Sequence, residues 1–182
     1  MKIIDITKEL FSTSPFPGDP APSMKLEKTL KKDGYNLTVF SACAHNSTHI
    51  DAPCHFVSGG STAADIELDK CVGKCVVTDN IGSAIEYAER GEKRILLKNV
   101  NVTPTQAERL ASRILLLGIE GESFGSDSAP SAVHRTLLGA GVVLLENLDL
   151  SAARCGEYFL CALPLKMKGS DGSPVRAVLI EE

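Results

Sequence analysis

Short apolar runs and longer amphipathic stretches alternate along most of the chain, and this alternation predicts its secondary structure. The short runs are rich in β-branched and aromatic residues and are bounded by turn-forming residues, which is typical of strands. The amphipathic stretches favour helix. The predicted strands span 2–6, 35–42, 72–78, 94–97, 114–117, 142–145, 158–162 and 175–180, and the predicted helices span 83–90, 104–113 and 130–138.

Local signals support this assignment. Thr103 is followed by a proline and then by Gln106, which is the signature of a capped helix N-terminus. The proline-rich segment 14–20 is incompatible with a helix or a central strand, so it is predicted to be a loop. Strands interleaved with a few helices predict the α/β class, with helices packed on a central sheet.

Composition and charge exclude several function classes. The 182 residues are predicted to form a single domain, 1–182. Lysine and arginine number 19 against 23 acidic residues, and the net charge of −4 gives no basis for binding nucleic acid. No apolar run is long enough to predict a membrane span. Asp5 interrupts the first apolar stretch, so we expect no signal peptide and a cytoplasmic location. Because that compartment is reducing, we expect the cysteines to be free thiols.

Three of the four histidines lie within eleven residues, together with an aspartate. His45, His49, Asp51 and His55 are all separated by even numbers of residues, so an extended segment would place them on one face. A straight strand of that length would span roughly 33 Å, too far for one metal site, so the segment is predicted to bend near Pro53. Imidazole and carboxylate groups are common metal ligands. The alternative is that each histidine is an isolated surface or core residue.

The fourth histidine, His134, precedes Glu146 by twelve residues. Glu146 ends the predicted apolar strand 142–145, and a carboxylate buried there would need a partner, because an unpaired buried charge is costly. A carboxylate exposed at the end of the strand would need none. The sequence leaves both alternatives open.

The segment 45–55, His-Asn-Ser-Thr-His-Ile-Asp-Ala-Pro-Cys-His, resembles the signature His-x-Gly-Thr-His-x-Asp-x-Pro-x-His of the cyclase-like metal hydrolases. The best-known members of this family are the bacterial kynurenine formamidases, or arylformamidases. The resemblance extends to Phe-Pro-Gly-Asp at 16–19, to the spacing of His134 and Glu146, and to the segments 162–166 and 173–177. It therefore covers nearly the whole chain.

The resemblance implies a fold, a metal centre and a reaction. The fold would be a single mixed β/β/α domain with swivelling-domain character. Two divalent ions would be bound. Zinc is the expected metal, and manganese, cobalt or iron are the alternatives. A small-molecule substrate, N-formylkynurenine, would be hydrolysed to kynurenine and formate in tryptophan catabolism, by a homodimer or larger homo-oligomer. The implied roles are first-ion ligands at His45 and His49, a second-ion ligand at His134, bridging carboxylates at Asp51 and Glu146, and an acid/base at His55.

The chain differs from the family pattern at two positions of the candidate site, in a shorter stretch between Leu97 and Ile114, and in the loop 118–127. Ser47 stands where the family has glycine, and Phe16 stands where formamidases place a tryptophan against the substrate ring. Phe16 is therefore the candidate substrate-binding residue. Two alternative functions are also compatible with the sequence. The chain could be a family member acting on a lactone, a cyclic amide or a polyketide, or a non-catalytic metal-binding relative.

Overall fold

The central feature of the fold is one large mixed sheet. The computed structural model describes residues 1–125 and 130–181. Within these residues the strands form a nine-stranded sheet and a separate two-stranded sheet. The strands are β1 (Lys2–Asp5), β2 (Ser23–Lys28), β3 (Leu37–Ser41), β4 (His49–Asp51), β5 (Val72–Thr78), β6 (Arg94–Leu97), β7 (Leu116–Ile119), β8 (Val143–Glu146), β9 (Gly156–Cys161), β10 (Gly172–Pro174) and β11 (Val178–Glu181).

The helices are short. In the described part of the chain, none has the length and apolar character that crossing a bilayer would require. The helices are α1 (Leu30–Asp33), α2 (Leu68–Cys71), α3 (Ile81–Glu89), α4 (Pro104–Ala111) and α5 (Pro130–Gly139), with 3₁₀ turns at Pro53–His55 and Ala63–Asp65. As the capping signal predicts, Thr103 caps α4, and its hydroxyl accepts the backbone N–H of Gln106.

The large sheet has the strand order β1-β11-β9-β5-β6-β7-β8-β4-β10. Strands β5 to β8 pair in parallel and are connected through α3, α4 and α5, whereas the other pairs are antiparallel. Consecutive residues of a central strand belong to different core clusters: Leu116 lies in one and Leu117 in the other. Both faces of these strands are covered, which explains their continuous apolar sequence. The mixed α/β prediction is confirmed.

Some predicted elements differ from the observed ones. The predicted strand 114–117 is shifted, because Ile114 packs into the helix-side core before β7 begins. The predicted strand 175–180 begins later than expected, because residues 175–177 form an irregular connection from β10 and only β11 overlaps the predicted range. Strands β2, β4 and β10 were not predicted. β4 and β10 are three residues each, too short for an alternation of apolar and polar positions to be recognised.

Strands β2 and β3 and helix α1 form a hairpin arm, defined here as residues 23–41. The two strands pair only with each other, and all but one of their residues are exposed. Phe40 at the base of the arm packs edge-on against Phe11, with the ring centroids 6.2 Å apart. The arm exposes large apolar side chains to between 40% and 66%: Met24, Leu26, Leu30, Tyr35, Leu37, Val39 and Phe40.

Candidate metal centre

Strand β4 places two of the predicted ligands at the surface of the core. His49 and Asp51 are two residues apart, so their side chains lie on the same face of the strand. In the antiparallel ladder between β4 and β8, His49 is paired with Glu146. Directly paired residues in such a ladder have Cβ atoms about 5 Å apart, so strand pairing alone brings these two side chains together. All three residues are at most 3% exposed.

Turns on both sides of β4 return the other two histidines to the same place. Before the strand, Ser47 adopts the left-handed conformation with φ 58°, and its hydroxyl donates to the carbonyl of Lys8 at 2.7 Å. After the strand, the 3₁₀ turn at Pro53–His55 bends the chain where the sequence predicts a bend. His45 and His55 therefore lie against each other, with ring centroids 4.1 Å apart. The turn at Ser47 was not predicted.

One oxygen of Asp51 faces two histidines. Its Oδ1 lies 2.9 Å from Nδ1 of His45 and 3.3 Å from Nε2 of His49. The Nδ1 of His49 donates to the carbonyl oxygen of Ser47 at 2.8 Å, which leaves Nε2 as the ligand atom. These donors form the first group that could hold an ion: His45, His49 and Asp51.

The second oxygen of Asp51 faces the histidine from helix α5. The Nε2 of His134 lies 3.6 Å from Oδ2 of Asp51 and 3.2 Å from Oε1 of Glu146. The other oxygen of Glu146, Oε2, lies 3.4 Å from Nε2 of His49. Asp51, His134 and Glu146 form a second group that could hold an ion. Each carboxylate thus has one oxygen towards each group.

Asp51 supplies a test of whether a metal fits. Its Oδ2 is buried and accepts no hydrogen bond from the residues that the structure describes. A buried carboxylate oxygen without a donor is costly, and such atoms commonly mark a missing ion or water. The surrounding donors are imidazole nitrogens and carboxylate oxygens, which suit zinc and the neighbouring divalent ions. The residues present therefore fit a divalent metal.

The electrostatics of the cluster depend on its burial and its carboxylates. Burial of His49 opposes its charged form, but the carboxylates of Asp51 and Glu146 outweigh burial and raise the pKa of His49 to about 10. The pKa of His45 is also raised, because Asp51 and Asp171 outweigh the effect of burial. For Asp51, burial raises the pKa, but His45 and His49 prevail and hold it far below its usual value. Without metal, a proton on the histidines balances the buried carboxylate.

A cavity of about 530 Å³ opens over the cluster. His45, His49, His134 and Glu146 line its floor, and Asp51 lies beneath them. His55 and Phe16 also line the cavity. Phe16 is 51% exposed and comes from the predicted loop 14–20. The structure therefore brings all seven predicted site residues together.

The chain matches a family model described as "Putative cyclase" over residues 4–123. The kynurenine formamidase of Delftia acidovorans is 32% identical over 202 aligned residues, which cover 98% of this chain and 97% of that protein. The chain belongs to the cyclase family. Another relative of this cyclase-family chain is the kynurenine formamidase of Polaromonas naphthalenivorans, at 34% identity with 100% and 92% of the two chains covered.

Solved structures of the cyclase family share the fold. A protein described as a potential metal-dependent hydrolase with cyclase activity superposes with a TM-score of 0.82 and 28% identity, covering 98% of this chain and 96% of that one. Isatin hydrolase A of Labrenzia aggregata superposes with a TM-score of 0.78, and its 24% identity shows likeness of fold alone. The chain is thus a metal-dependent hydrolase of the cyclase family.

One residue of the site, Asp171, was not predicted from the sequence. Asp171 lies just before β10, and its Oδ2 is 3.0 Å from Nε2 of His45 and 3.1 Å from Nδ1 of His55. Its burial raises its pKa, but the two histidines outweigh burial and lower it. The only sequence signal was that it directly precedes the segment 172–177, most of which belongs to the family resemblance.

Proposed function

We propose that the chain is a dinuclear hydrolase that cleaves the formamide of N-formylkynurenine to give kynurenine and formate. The observation that carries the two-ion proposal is the arrangement around Asp51, whose Oδ1 faces two histidines and whose Oδ2 faces a third, His134. Kynurenine formamidases at 32% and 34% identity over nearly the full length support the substrate. Hydrolysis of that substrate would make the chain an enzyme of tryptophan catabolism. The sequence predicts that it acts in the cytoplasm.

The geometry of the cluster supports one assignment of the metal ligands. His45 and His49 would hold one ion, His134 would hold the other, and Asp51 and Glu146 would bridge the two. Zinc is the first choice for this donor set, and manganese, cobalt or iron would also fit it. Bound divalent ions would supply Lewis-acid chemistry, since they lower the pKa of a coordinated water towards neutrality and polarise a carbonyl.

His55 is the proposed acid/base because it lies over the ligands without belonging to either of the two groups that contain Asp51. It would take a proton from the attacking water as the water oxygen bonds to the formyl carbon. It would then deliver this proton to the aniline nitrogen as the C–N bond breaks, since imidazole can exchange protons near neutral pH. Water is consumed, and the products are formate and the free arylamine.

Phe16 is the proposed contact for the aryl ring of the substrate. It is half exposed at the mouth of the cavity, where an aromatic side chain can stack on a planar ligand. Phenylalanine offers less stacking area than tryptophan and no N–H donor.

The proposed function is tested with a panel of substrates and one variant. Wild type should hydrolyse N-formylkynurenine faster than simple lactones, cyclic amides and polyketide thioesters. His55→Ala should retain its metal and lose turnover by roughly 10²–10⁴-fold, the range of general acid–base catalysis. Preference for a lactone or cyclic amide would assign the site to another reaction. If His55→Ala changed no property and the wild type hydrolysed no substrate of the panel, the chain would be a non-catalytic metal-binding relative of the family.

We also propose that the chain forms a homo-oligomer through the hairpin arm. A two-stranded hairpin is marginally stable alone in water. The exposed apolar side chains of the arm present on the order of 600 Å², close to the roughly 800 Å² that one partner contributes to a standard interface. The arm carries four lysines against two acidic residues, so the rest of the chain, at −6, is complementary in charge. These features favour a second copy of this chain as the partner.

A further inference from the structure

Beyond the proposed function, on which this inference rests, we propose that Asp171 is a positioning residue that sets the ring orientation and tautomer of His45 and His55 with one carboxylate oxygen. Its Oδ2 lies 3.0 Å from Nε2 of His45 and 3.1 Å from Nδ1 of His55. A carboxylate oxygen only accepts hydrogen bonds, so both of these nitrogens must carry a proton.

The backbone around Asp171 is fixed by hydrogen bonds on both sides. The carbonyl oxygen of Asp171 accepts the N–H of Ala52 at 2.9 Å, and the carbonyl oxygen of Ser170 accepts the N–H of Ala63 at 2.9 Å. The next residue, Gly172, is paired with Asp51 in the ladder between β10 and β4. The strand that carries the buried metal-site carboxylate therefore also sets the position of Asp171.

Gly172 makes room for the ring that Asp171 orients. A Cβ atom at position 172 would lie 2.6 Å from Cε1 of His45 and 2.9 Å from the carbonyl oxygen of Ile50. The imidazole of His45 thus packs directly against the backbone of β10, and only glycine allows this approach. On its other side the ring lies 4.1 Å from that of His55, with 30° between the two planes. The two rings are stacked, and each presents one nitrogen to the same oxygen.

The consequence is a defined proton position at both histidines. Nδ1 of His45 also faces a carboxylate oxygen, Oδ1 of Asp51 at 2.9 Å, so without metal His45 carries a proton on both nitrogens. A bound ion would take the place of the proton on Nδ1, and Asp171 would hold the one on Nε2. With the proton of His55 on Nδ1, its Nε2 is the nitrogen that can accept and return a proton in the cavity. Carboxylates behind metal-ligating or catalytic histidines act in this way in other enzymes. Here one carboxylate serves a ligand and the acid/base together.

Nuclear magnetic resonance tests the tautomer directly and needs no turnover. Long-range ¹H–¹⁵N spectra of zinc-loaded protein labelled at histidine contain four imidazole rings, and a His55→Gln variant assigns one of them. In wild type, His55 should carry its proton on Nδ1. In Asp171→Ala it should shift to the Nε2–H form that free imidazole side chains prefer in water. An unchanged His55 tautomer in Asp171→Ala would overturn the proposal.

Kinetics and metal analysis distinguish positioning from ligation. At saturating zinc, Asp171→Ala should lower kcat by roughly 10–100-fold with little change in KM and in bound metal. In a His55→Gln background the same substitution should cost far less, because the residue through which it acts is gone. Glu157→Ala, which removes an exposed carboxylate from β9, should behave as wild type.

Three outcomes of these measurements would contradict the proposal. An equal loss of kcat in both backgrounds would show that Asp171 does not act through His55. Loss of an ion in Asp171→Ala would make Asp171 a metal ligand, since His45, His55 and Asp171 also lie close enough together to hold one. An unchanged kcat would remove its role altogether. If the wild type hydrolyses no substrate, the proposed function fails, while the spectra still decide the tautomer.

Discussion

His49 and Glu146 face each other across strands β4 and β8, with Nε2 of the histidine 3.4 Å from Oε2 of the carboxylate. One residue belongs to the histidine motif and the other lies nearly a hundred positions later in the chain. Strand pairing makes them neighbours before any side-chain interaction does. The core of the sheet therefore builds the metal centre, and its geometry should be rigid.

Without metal, folding stability should depend on pH through His49. Its folded pKa of about 10 lies above the ordinary histidine value of 6.5, so its contribution to stability is complete below pH 6.5 and is lost as the pH rises towards 10. Asp51 adds no slope there, because its pKa is lowered in the fold and its contribution is lost only in acid. Urea unfolding of the metal-free protein should therefore show stability falling with pH. His49 should contribute at most about 1.4 kcal/mol per pH unit, and His45, whose pKa is also raised, should add to the slope.

His49→Gln is the variant that tests this assignment. It removes the titrating ring, so the slope between pH 6.5 and 10 should decrease by one proton. His55→Gln removes a ring outside the buried ligand set and serves as the comparison. A slope that is the same in His49→Gln and in wild type would assign the pH dependence to another group.

Ser47 should tolerate glycine better than any larger residue. Its φ of 58° favours glycine, and the left-handed conformation costs an L-residue roughly 1–2 kcal/mol. Ser47→Gly relieves that cost but loses the hydrogen bond to Lys8, so its stability should stay within about 1 kcal/mol of wild type. Ser47→Ala should be less stable, and Ser47→Val the least stable because it is β-branched. Thermal unfolding gives the ranking, and a valine variant as stable as wild type would contradict it.

Phe16 should affect substrate affinity more than the chemical step. Phe16→Ala should raise KM for N-formylkynurenine several-fold and leave metal content unchanged, whereas Phe16→Trp should lower KM because the stacking area grows. Phe159→Ala removes a ring that is 38% exposed on β9 and is the control. Equal KM values for the alanine and tryptophan variants of Phe16 would show that the ring does not contact the substrate.

The hairpin arm should control the oligomeric state. Sedimentation of wild type should show a dimer or larger species. Leu26→Asp, on the exposed arm, should shift the population to monomer, because it places a charge in an apolar interface. Leu68→Asp changes a leucine of similar exposure outside the arm and should leave the dimer intact. A monomeric wild type, or a Leu26→Asp variant that stays dimeric, would contradict the proposal.

Much of the fold could be predicted from the sequence. The parallel strands are buried on both faces, so their sequences are continuous apolar runs. The ligand types could also be predicted, because the histidines cluster around Asp51. The strands that assemble the site could not, because β4 and β10 are only three residues long. Asp171 was missed for the same reason. Its role depends on the pairing of Gly172 with Asp51, which no local pattern reveals.

Metal content of wild type and Asp51→Asn, measured by elemental analysis on protein purified without chelators, tests the central claim most directly. Asp51 offers one oxygen to each donor group, so the substitution should weaken both sites at once. Thermal unfolding of both metal-free proteins establishes that the variant is folded. The account predicts about two divalent ions per wild-type chain, loss of both in the folded variant, and loss of N-formylkynurenine turnover with them. A wild type without metal, or an Asp51→Asn protein that keeps both ions, would contradict it.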